Sequence, residues 1–310
     1  MITGKKSLVS MLLIVAMCLA LLTACGVGAD TTPKPNATND PNMTAYDGKY
    51  AVDVDTSDLP ATGELQVVPA EPAPDYTPTY FDSKPDAEAV EWELVTAMDV
   101  TIPSPLPSPT GKEIARDQYY SQLAITVPAG SDVGPASFLA TNPNAGSGGY
   151  PSTNITLVAT DRTNPDKANT TVENIVYQIF EPNASGVTIL HSGTLPTVTA
   201  ADNHDSRSYV TVLDGMGQSK TAGIVNNYAV AAGYLSSITV NGNTYTASGN
   251  DGWQYRVYNL SNGTYTVDST NSTIFGAGDY KMSDNQLVQW RYGGYGTVTF
   301  PTSFPDPGIF

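Results

Sequence analysis

The stretch Gly252-Trp253-Gln254-Tyr255-Arg256-Val257-Tyr258-Asn259 decides how the rest of the chain is read. Trp253, Tyr255 and Val257 alternate with Gln254, Arg256 and Tyr258, and the two-residue period of a β-strand sends the two sets to opposite faces. Two aromatics and a valine on one face describe a half-buried strand. Upstream, Tyr234 to Val240 is a second β-rich run that stops at Asn241-Gly242, the dipeptide best suited to the positive backbone angles of a tight hairpin turn. Its return strand is expected at Thr244 to Ala247. Downstream, Gln286 to Tyr292 alternates again, with Val288, Trp290 and Tyr292 on one side and Leu287, Gln289 and Arg291 on the other.

Taken together, these segments resemble the carboxy-terminal domain of transcobalamin and intrinsic factor, with its bacterial relatives in the soluble-ligand-binding β-grasp group. The resemblance rests on the β run ending in Asn-Gly (Ile238 to Gly242) and on Gly-Trp-x-Tyr-x-Val-x-Asn (Gly252 to Asn259). It continues in a Tyr-x-x-x-Asp segment leading into Val-x-Trp-x-Tyr (Tyr280 to Tyr292). Thr211 to Met216 is similar to the stretch carried by the family's single helix, and Asp205-Ser206 is placed as the cap that starts it. The chain departs from the pattern at Ser283 to Gln286, where the family has a Gly-Asp turn, and in the longer stretch Leu260 to Gly278. Non-catalytic capture of a soluble ligand is what the resemblance implies, with a corrinoid such as cobalamin as the named ligand.

The amino terminus reads as a leader. Lys5 and Lys6 precede an uncharged apolar run from Leu8 to Leu22, and Leu22-Thr23-Ala24-Cys25 looks like a bacterial lipobox. Residues 1–24 are then a signal peptide and Cys25 the lipidated residue, which anchors the chain to the bacterial cell membrane or cell surface and makes that membrane a partner. The lipid on Cys25 is the one covalent group expected. Cys18 and Cys25 are the two cysteines, so the mature body has no disulfide to stabilise it and depends on its apolar core. Removing the leader takes away Lys5 and Lys6 and no acid, so the net charge of −16 becomes −18. Such a surface repels phosphate backbones, which excludes nucleic acid as a partner.

Between residues 25 and 112 proline, threonine, aspartate and asparagine dominate, and Ile102 to Pro109 favours an extended polyproline conformation. This reads as a mostly disordered stalk, except that Ala87 to Val100 is a candidate helix or strand docking on the body. Residues 113–168 read as a β-rich extension or small subdomain. Leu123, Ile125 and Val127 mark a strand, Ala129 to Ser152 a long loop, and Ile155 to Ala159 the partner strand. Residues 169–296 form the β-grasp-like domain, opened by a hairpin of Asn174 to Phe180 and Val187 to Leu190, and residues 297–310 are a tail. The expected class is α+β and predominantly β: one short helix packed on a mixed sheet, preceded by extra strands and the stalk.

Catalysis has little support. The two histidines, His191 and His204, read as solvated strand-end or loop residues, and no nucleophile elbow accompanies them. The aspartates beyond Glu181 sit beside Asn, Ser or Gly and read as turn residues, with no twelve-residue calcium loop among them. The expectation is a protein that is not an enzyme and holds no metal. Binding remains. Of the 18 tyrosines many lie in the final third, where rigid amphipathic rings suit a ligand platform or an interface with a surface protein or glycan. The candidate ligand-binding residues are Trp253, Tyr255, Arg256, Tyr258, Trp290 and Tyr292. A core role stays open for Trp253 and Trp290, and the alternative function is adhesion or envelope organisation.

Overall fold

Alternating apolar residues need two layers to bury them, and the chain builds such layers twice. The structure, a computed structural model, describes residues 43–46, 49–55, 61–67, 80–128, 131–144, 152–160, 170–182, 189–200, 208–231 and 234–306. The leader, Cys25, His204 and the Asp205-Ser206 pair lie outside them.

The first body is a β-sandwich. One sheet runs in the order β1 (Met43–Tyr46), β2 (Lys49–Asp55), β8 (Ser152–Thr160), β7 (Gly134–Thr141) and β4 (Glu91–Ala97), and the other in the order β3 (Ala61–Val67), β6 (Gln118–Val127) and β5 (Thr110–Ala115). Leu65, Leu123, Ile125 and Val127 of the smaller sheet meet Val54, Phe138, Ile155 and Leu157 of the larger in one buried cluster. This corrects the stalk reading for part of its range. Residues 43 to 112 contribute five of the eight strands and helix α1 (Lys84–Glu88), and within the proline-rich segment Ile102 and Leu106 pack against the sandwich core. Composition misleads here because short edge strands between prolines bury few residues each. The expected docking piece at Ala87 to Val100 holds the end of α1 and the whole of β4. The long loop contains β7, and Ile155 to Ala159 pairs with β7 and β2 rather than with the Leu123 strand, which lies in the opposite sheet. Alternation tells which face is buried. It does not tell which strand supplies the backbone partner.

The second body packs a helix against a mixed sheet. Its sheet has the order β10 (Ile189–Thr199), β9 (Thr171–Glu181), β16 (Gln286–Gly294), β14 (Asp251–Ser261), β15 (Thr264–Val267) and β17 (Ser303–Pro305). The hairpin β9–β10 comes first, helix α2 (Val212–Thr221) crosses one face, and β16 returns parallel to β9, between it and β14. A separate three-stranded sheet of β11 (Asn227–Ala231), β12 (Tyr234–Val240) and β13 (Asn243–Thr246) adds to the helix-side core through Leu235, Ile238 and Val240. Asn241 and Gly242 make the two-residue turn between β12 and β13 with φ of 49° and 79°, as the dipeptide requires. The tail does not simply end the body: residues 303–305 pair with β15, and Phe304 stacks near Tyr258 and Tyr265 at 5.1 and 5.6 Å.

Helix α2 begins later than the Asp205-Ser206 cap placed it. Thr211 is the N-cap, its hydroxyl accepting from the Asp214 amide while the Asp214 carboxylate accepts from the Thr211 amide. This reciprocal box is formed by the first and fourth residues of the similar segment itself. The two bodies meet at Lys281, which ion-pairs with Asp99 at 2.6 Å and donates to the Val133 carbonyl at 2.8 Å, and at Thr96, which donates to Asn271 at 2.8 Å. Among the described residues, no helix is long and apolar enough to cross a membrane.

Gly215 explains how α2 holds despite its low helix propensity. A Cβ at this position would stand 2.2 Å from the Tyr177 hydroxyl and 2.5 Å from its ring, so the helix reaches β9 because the side chain is missing. Tyr177 in turn donates to the Val212 carbonyl. Alanine gains about 1 kcal/mol in helix propensity but overpacks this contact. Gly215→Ala is expected to destabilise the chain by about 1–3 kcal/mol in urea melts, and a stabilised variant would mean that Tyr177 yields freely.

Candidate functional site

The strand period divides the six candidate residues between the two faces of the sheet. Trp253, Tyr255, Trp290 and Tyr292 face α2, and Arg256 and Tyr258 face away from it. On the helix side Trp253, Tyr255 and Trp290 are core residues. Trp253 donates through Nε1 to the Tyr245 carbonyl at 2.9 Å and Tyr255 through its hydroxyl to the Phe275 carbonyl at 2.8 Å. Tyr292 is half-buried, 5.4 Å from the Trp253 ring, and donates to the Thr246 carbonyl at 2.7 Å. These four bind the protein to itself. Tyr258 belongs to a second core on the other face, with Val176, Tyr265 and Leu287, and its hydroxyl donates to the Pro301 carbonyl at 3.0 Å. Arg256 is half-buried on the face away from the helix, with the Phe300 ring 5.0 Å from its guanidinium. The correction has a simple cause: this sheet is covered on both sides, by the helix on one and by residues 300–305 on the other.

Away from the helix, the register sets out three rows across β10, β9, β16 and β14. The first is Leu190, Phe180, Arg291 and Gln254; the second is Ser192, Gln178, Gln289 and Arg256; the third is Thr194, Val176, Leu287 and Tyr258. The third row is apolar and covered by Phe304. The middle row is a buried amide bridge, in which Gln289 donates to Gln178 at 2.9 Å. The first row ends in Leu190, which is 48% exposed. Arg291 lies over the Phe180 ring at 4.0 Å and 5.4 Å from the Phe300 ring, and Arg256 lies over that same Phe300 ring at 5.0 Å. All three separations fall inside the range of a cation–π contact.

Neither guanidinium has an acidic partner among the described residues. Arg256 donates through Nη1 to the Tyr255 carbonyl at 2.6 Å and toward Ser272 at 3.4 Å. Arg291 is less satisfied, since its Nε is out of contact with solvent and has no hydrogen-bond partner among the described residues. Burial lowers the pKa of both guanidiniums from the ordinary arginine value, against the pull of nearby tyrosine hydroxyls. Burial likewise pushes Tyr258 up to about 12, and the two guanidiniums beside it work in the opposite direction. Six side chains thus stand together: two cations, the Phe180 and Phe300 rings, the Gln254 amide and the exposed Leu190. Sequence reading missed Arg291, although it had set Arg291 on the same side of its strand as Gln289. Phe180 and Phe300 had no local signal, because each reaches the site through a contact far away in the chain.

At the β9 end of the sheet, Glu181 ties three elements together. Its carboxylate accepts from Asn243 at 3.0 Å, Tyr245 at 2.8 Å and Asn241 at 3.4 Å, and lies 2.8 Å from His191 Nε2. His191 is therefore a packed member of a polar cluster and not a solvated strand end. Asp214 closes the helix box, and Asp268 accepts from the Asn271 amide at the start of α3 (Asn271–Ile274) and from the Tyr280 hydroxyl. Each of these carboxylates does structural work. Among the described residues no group of three or more His, Cys, Asp or Glu is placed to hold a metal ion. No protein-family model, curated protein or solved structure matches the chain.

Burial works to raise the Glu181 carboxyl, but hydrogen bonds from Asn243, His191 and Tyr245 outweigh it and hold the group below the ordinary value of 4.5. A carboxyl lowered by folding stabilises above its unfolded value, and that contribution is lost as pH falls through the folded one. Glu181→Gln is expected to be less stable than the unmutated chain at neutral pH, with the gap closing as pH drops below about 4.5. Urea melts at stepwise lower pH test this, and a gap that stays constant or widens would refute it.

Proposed function

We propose that this chain is a lipid-anchored extracytoplasmic protein that captures a soluble ligand without chemically changing it. Cys25 carries the anchor, the sandwich spaces the β-grasp from the membrane, and the ligand docks on the sheet face turned away from α2. The observation that carries this reading is the unpaired arginine pair, Arg256 and Arg291, set over Phe300 and beside Phe180 in a chain of net charge −16. Thirty acids are available to neutralise two half-buried cations, yet no described carboxylate does so. Unpaired cations against aromatic rings are what a ligand-facing surface provides, since the partner arrives with the ligand.

A corrinoid is the named candidate, through the resemblance of the final strands to the transcobalamin-like domain. The flat apolar and polar platform of Phe180, Arg291 and Gln254 suits a broad ligand fringed with amides. One face of so large a molecule would remain uncovered by this body, so tight binding implies a second copy or a partner protein.

A specific observation favours the second reading, adhesion to a protein. Ile189 and Leu190 are 40% and 48% exposed on β10, an edge strand with a free row of backbone groups. Exposed apolar residues on a strand that is the edge of the sheet among the described residues suit strand addition by another chain.

Calorimetric titration of the full chain in detergent with cyanocobalamin and with cobinamide tests the proposal. Saturable binding at micromolar affinity or tighter, weakened by Arg256→Gln, is the expected result. An absence of heat with both corrinoids at millimolar concentration removes them as ligands and leaves the edge strand and its protein partner as the stronger reading.

A further inference from the structure

Resting on that capture reading, we propose that Arg256 and Arg291 form an anion grip: the ligand presents a phosphate or carboxylate group to the two guanidiniums, with Phe180 and Phe300 stacked against their faces. The inference adds a chemical class to the site.

Geometry carries the first step. Arg256 stands opposite Gln289 on the neighbouring strand, and Arg291 is two residues beyond Gln289, so the arginines are diagonal neighbours on one face. Diagonal positions lie about 7–8 Å apart, close enough for two long side chains to reach a single oxyanion. Both guanidiniums meet the ring of Phe300, which fixes them on a shared support. A ring occupies the π face of a guanidinium and leaves its in-plane N–H edge for an acceptor, and that edge matches the two oxygens of a carboxylate or phosphate.

Satisfaction of hydrogen bonds carries the second step. The Nε–H of Arg291 is buried and has no acceptor among the described residues. An orphaned donor of this kind leaves the guanidinium under-satisfied, and an oxyanion meets it through the terminal Nη groups, since the Nε itself is shielded from solvent. Arg256 keeps donors free as well, since its described hydrogen bonds use Nη1 alone. The third described arginine shows the contrast: Arg116 is exposed and lies 3.5 Å from Asp117.

The surrounding charge makes the grip selective. Long-range attraction of anions to this acidic chain is weak, so a bare anion gains little from the general field and depends on the local pair. The amide of Gln254, held by the Gly293 and Gly294 carbonyls at 3.2 Å, and the apolar side chain of Leu190 border the grip and would contact the rest of the ligand.

The test uses the full chain in detergent, with inorganic phosphate added at constant ionic strength against sodium chloride. The chain has five arginines, so their Nε–H signals are resolvable by NMR, and the Arg→Gln variants assign them. Saturable movement of the Arg256 and Arg291 signals, with Arg116 unmoved, is expected in the unmutated protein, a readout that does not require a variant to fold. Arg291→Gln should weaken phosphate binding about tenfold or more, and Lys112→Gln on the exposed face of the sandwich should leave it unchanged. Movement no greater than that caused by chloride, or phosphate binding in the Arg256→Gln and Arg291→Gln variants equal to that of the unmutated chain, overturns the grip. Vesicles of phosphatidylglycerol, mixed with the Cys25→Ser chain so that no lipid anchor retains it, separate the sources: retention lost on adding Arg291→Gln assigns a lipid headgroup to the grip, and retention that survives the addition counts against it.

The corrinoid pair separates this inference from the capture reading. Cobalamin carries a phosphodiester that cobinamide lacks, so the grip predicts tighter binding of cobalamin and loss of the difference in Arg291→Gln. Equal, arginine-independent binding of both corrinoids keeps capture and sinks the grip. Phosphate binding without corrinoid binding keeps the grip and sinks the corrinoid.

Discussion

The second body depends on the insertion of β16 between β9 and β14. Its parallel pairing sets Leu287 against Val176 and Arg291 against Phe180, and its antiparallel pairing sets Trp290 against Tyr255 and Arg291 against Gln254. Without that strand the hairpin β9–β10 and β14 share no strand pairing among the described residues, and the one backbone bond beside it, from the Asn285 amide to the Glu173 carbonyl at 2.9 Å, leads straight into it. With it, one nine-residue segment supplies both cores of the sheet: Val288 and Trp290 face the helix, Leu287 faces the tail. A parallel neighbour must come from a distant part of the chain, because a strand returning through a tight turn runs antiparallel. The site inherits this constraint, since Phe180 and Arg291 are more than 100 residues apart and meet through the parallel pair.

Covering both faces of the sheet changes what its aromatic residues do. On an exposed sheet, Trp253, Tyr255 and Tyr258 would be natural platform rings. Here the helix side absorbs Trp253, Tyr255 and Trp290, and the tail segment absorbs Tyr258. The polar atoms of Trp253, Tyr255 and Tyr258 are directed to backbone carbonyls at Tyr245, Phe275 and Pro301. Phe300 reaches Arg256 in the middle row and Arg291 in the first, and Leu190 at the far end of the first row stays exposed.

Charge is distributed with the same division. Glu181, Asp214 and Asp268 are consumed by three structural tasks: joining hairpins, starting α2 and starting α3. Lys281 is consumed at the contact between the two bodies. Arg256 and Arg291 stand outside this pairing among the described residues. A surplus of carboxylates elsewhere does not reach them, because each of the carboxylates that folding brings inward already has its own donors.

The sequence by itself determined which residues form strands in the final third, because alternation at Gly252 to Asn259 and Gln286 to Tyr292 and the Asn241-Gly242 turn are local signals with local causes. It also determined the α+β class and the hairpin from Asn174 to Leu190. Tertiary structure alone decided which face of each strand is open, because that depends on the helix and the tail, and neither leaves a mark on the strand it covers. It decided that residues 43 to 112 belong in part to a sandwich, since a short strand between prolines has too little pattern to be read alone. It also decided the site. Arg256 was visible as a residue of the right kind, but its partnership with Arg291, Phe180 and Phe300 exists only once strand order and register are set, and register is a property of pairs of strands rather than of any one of them.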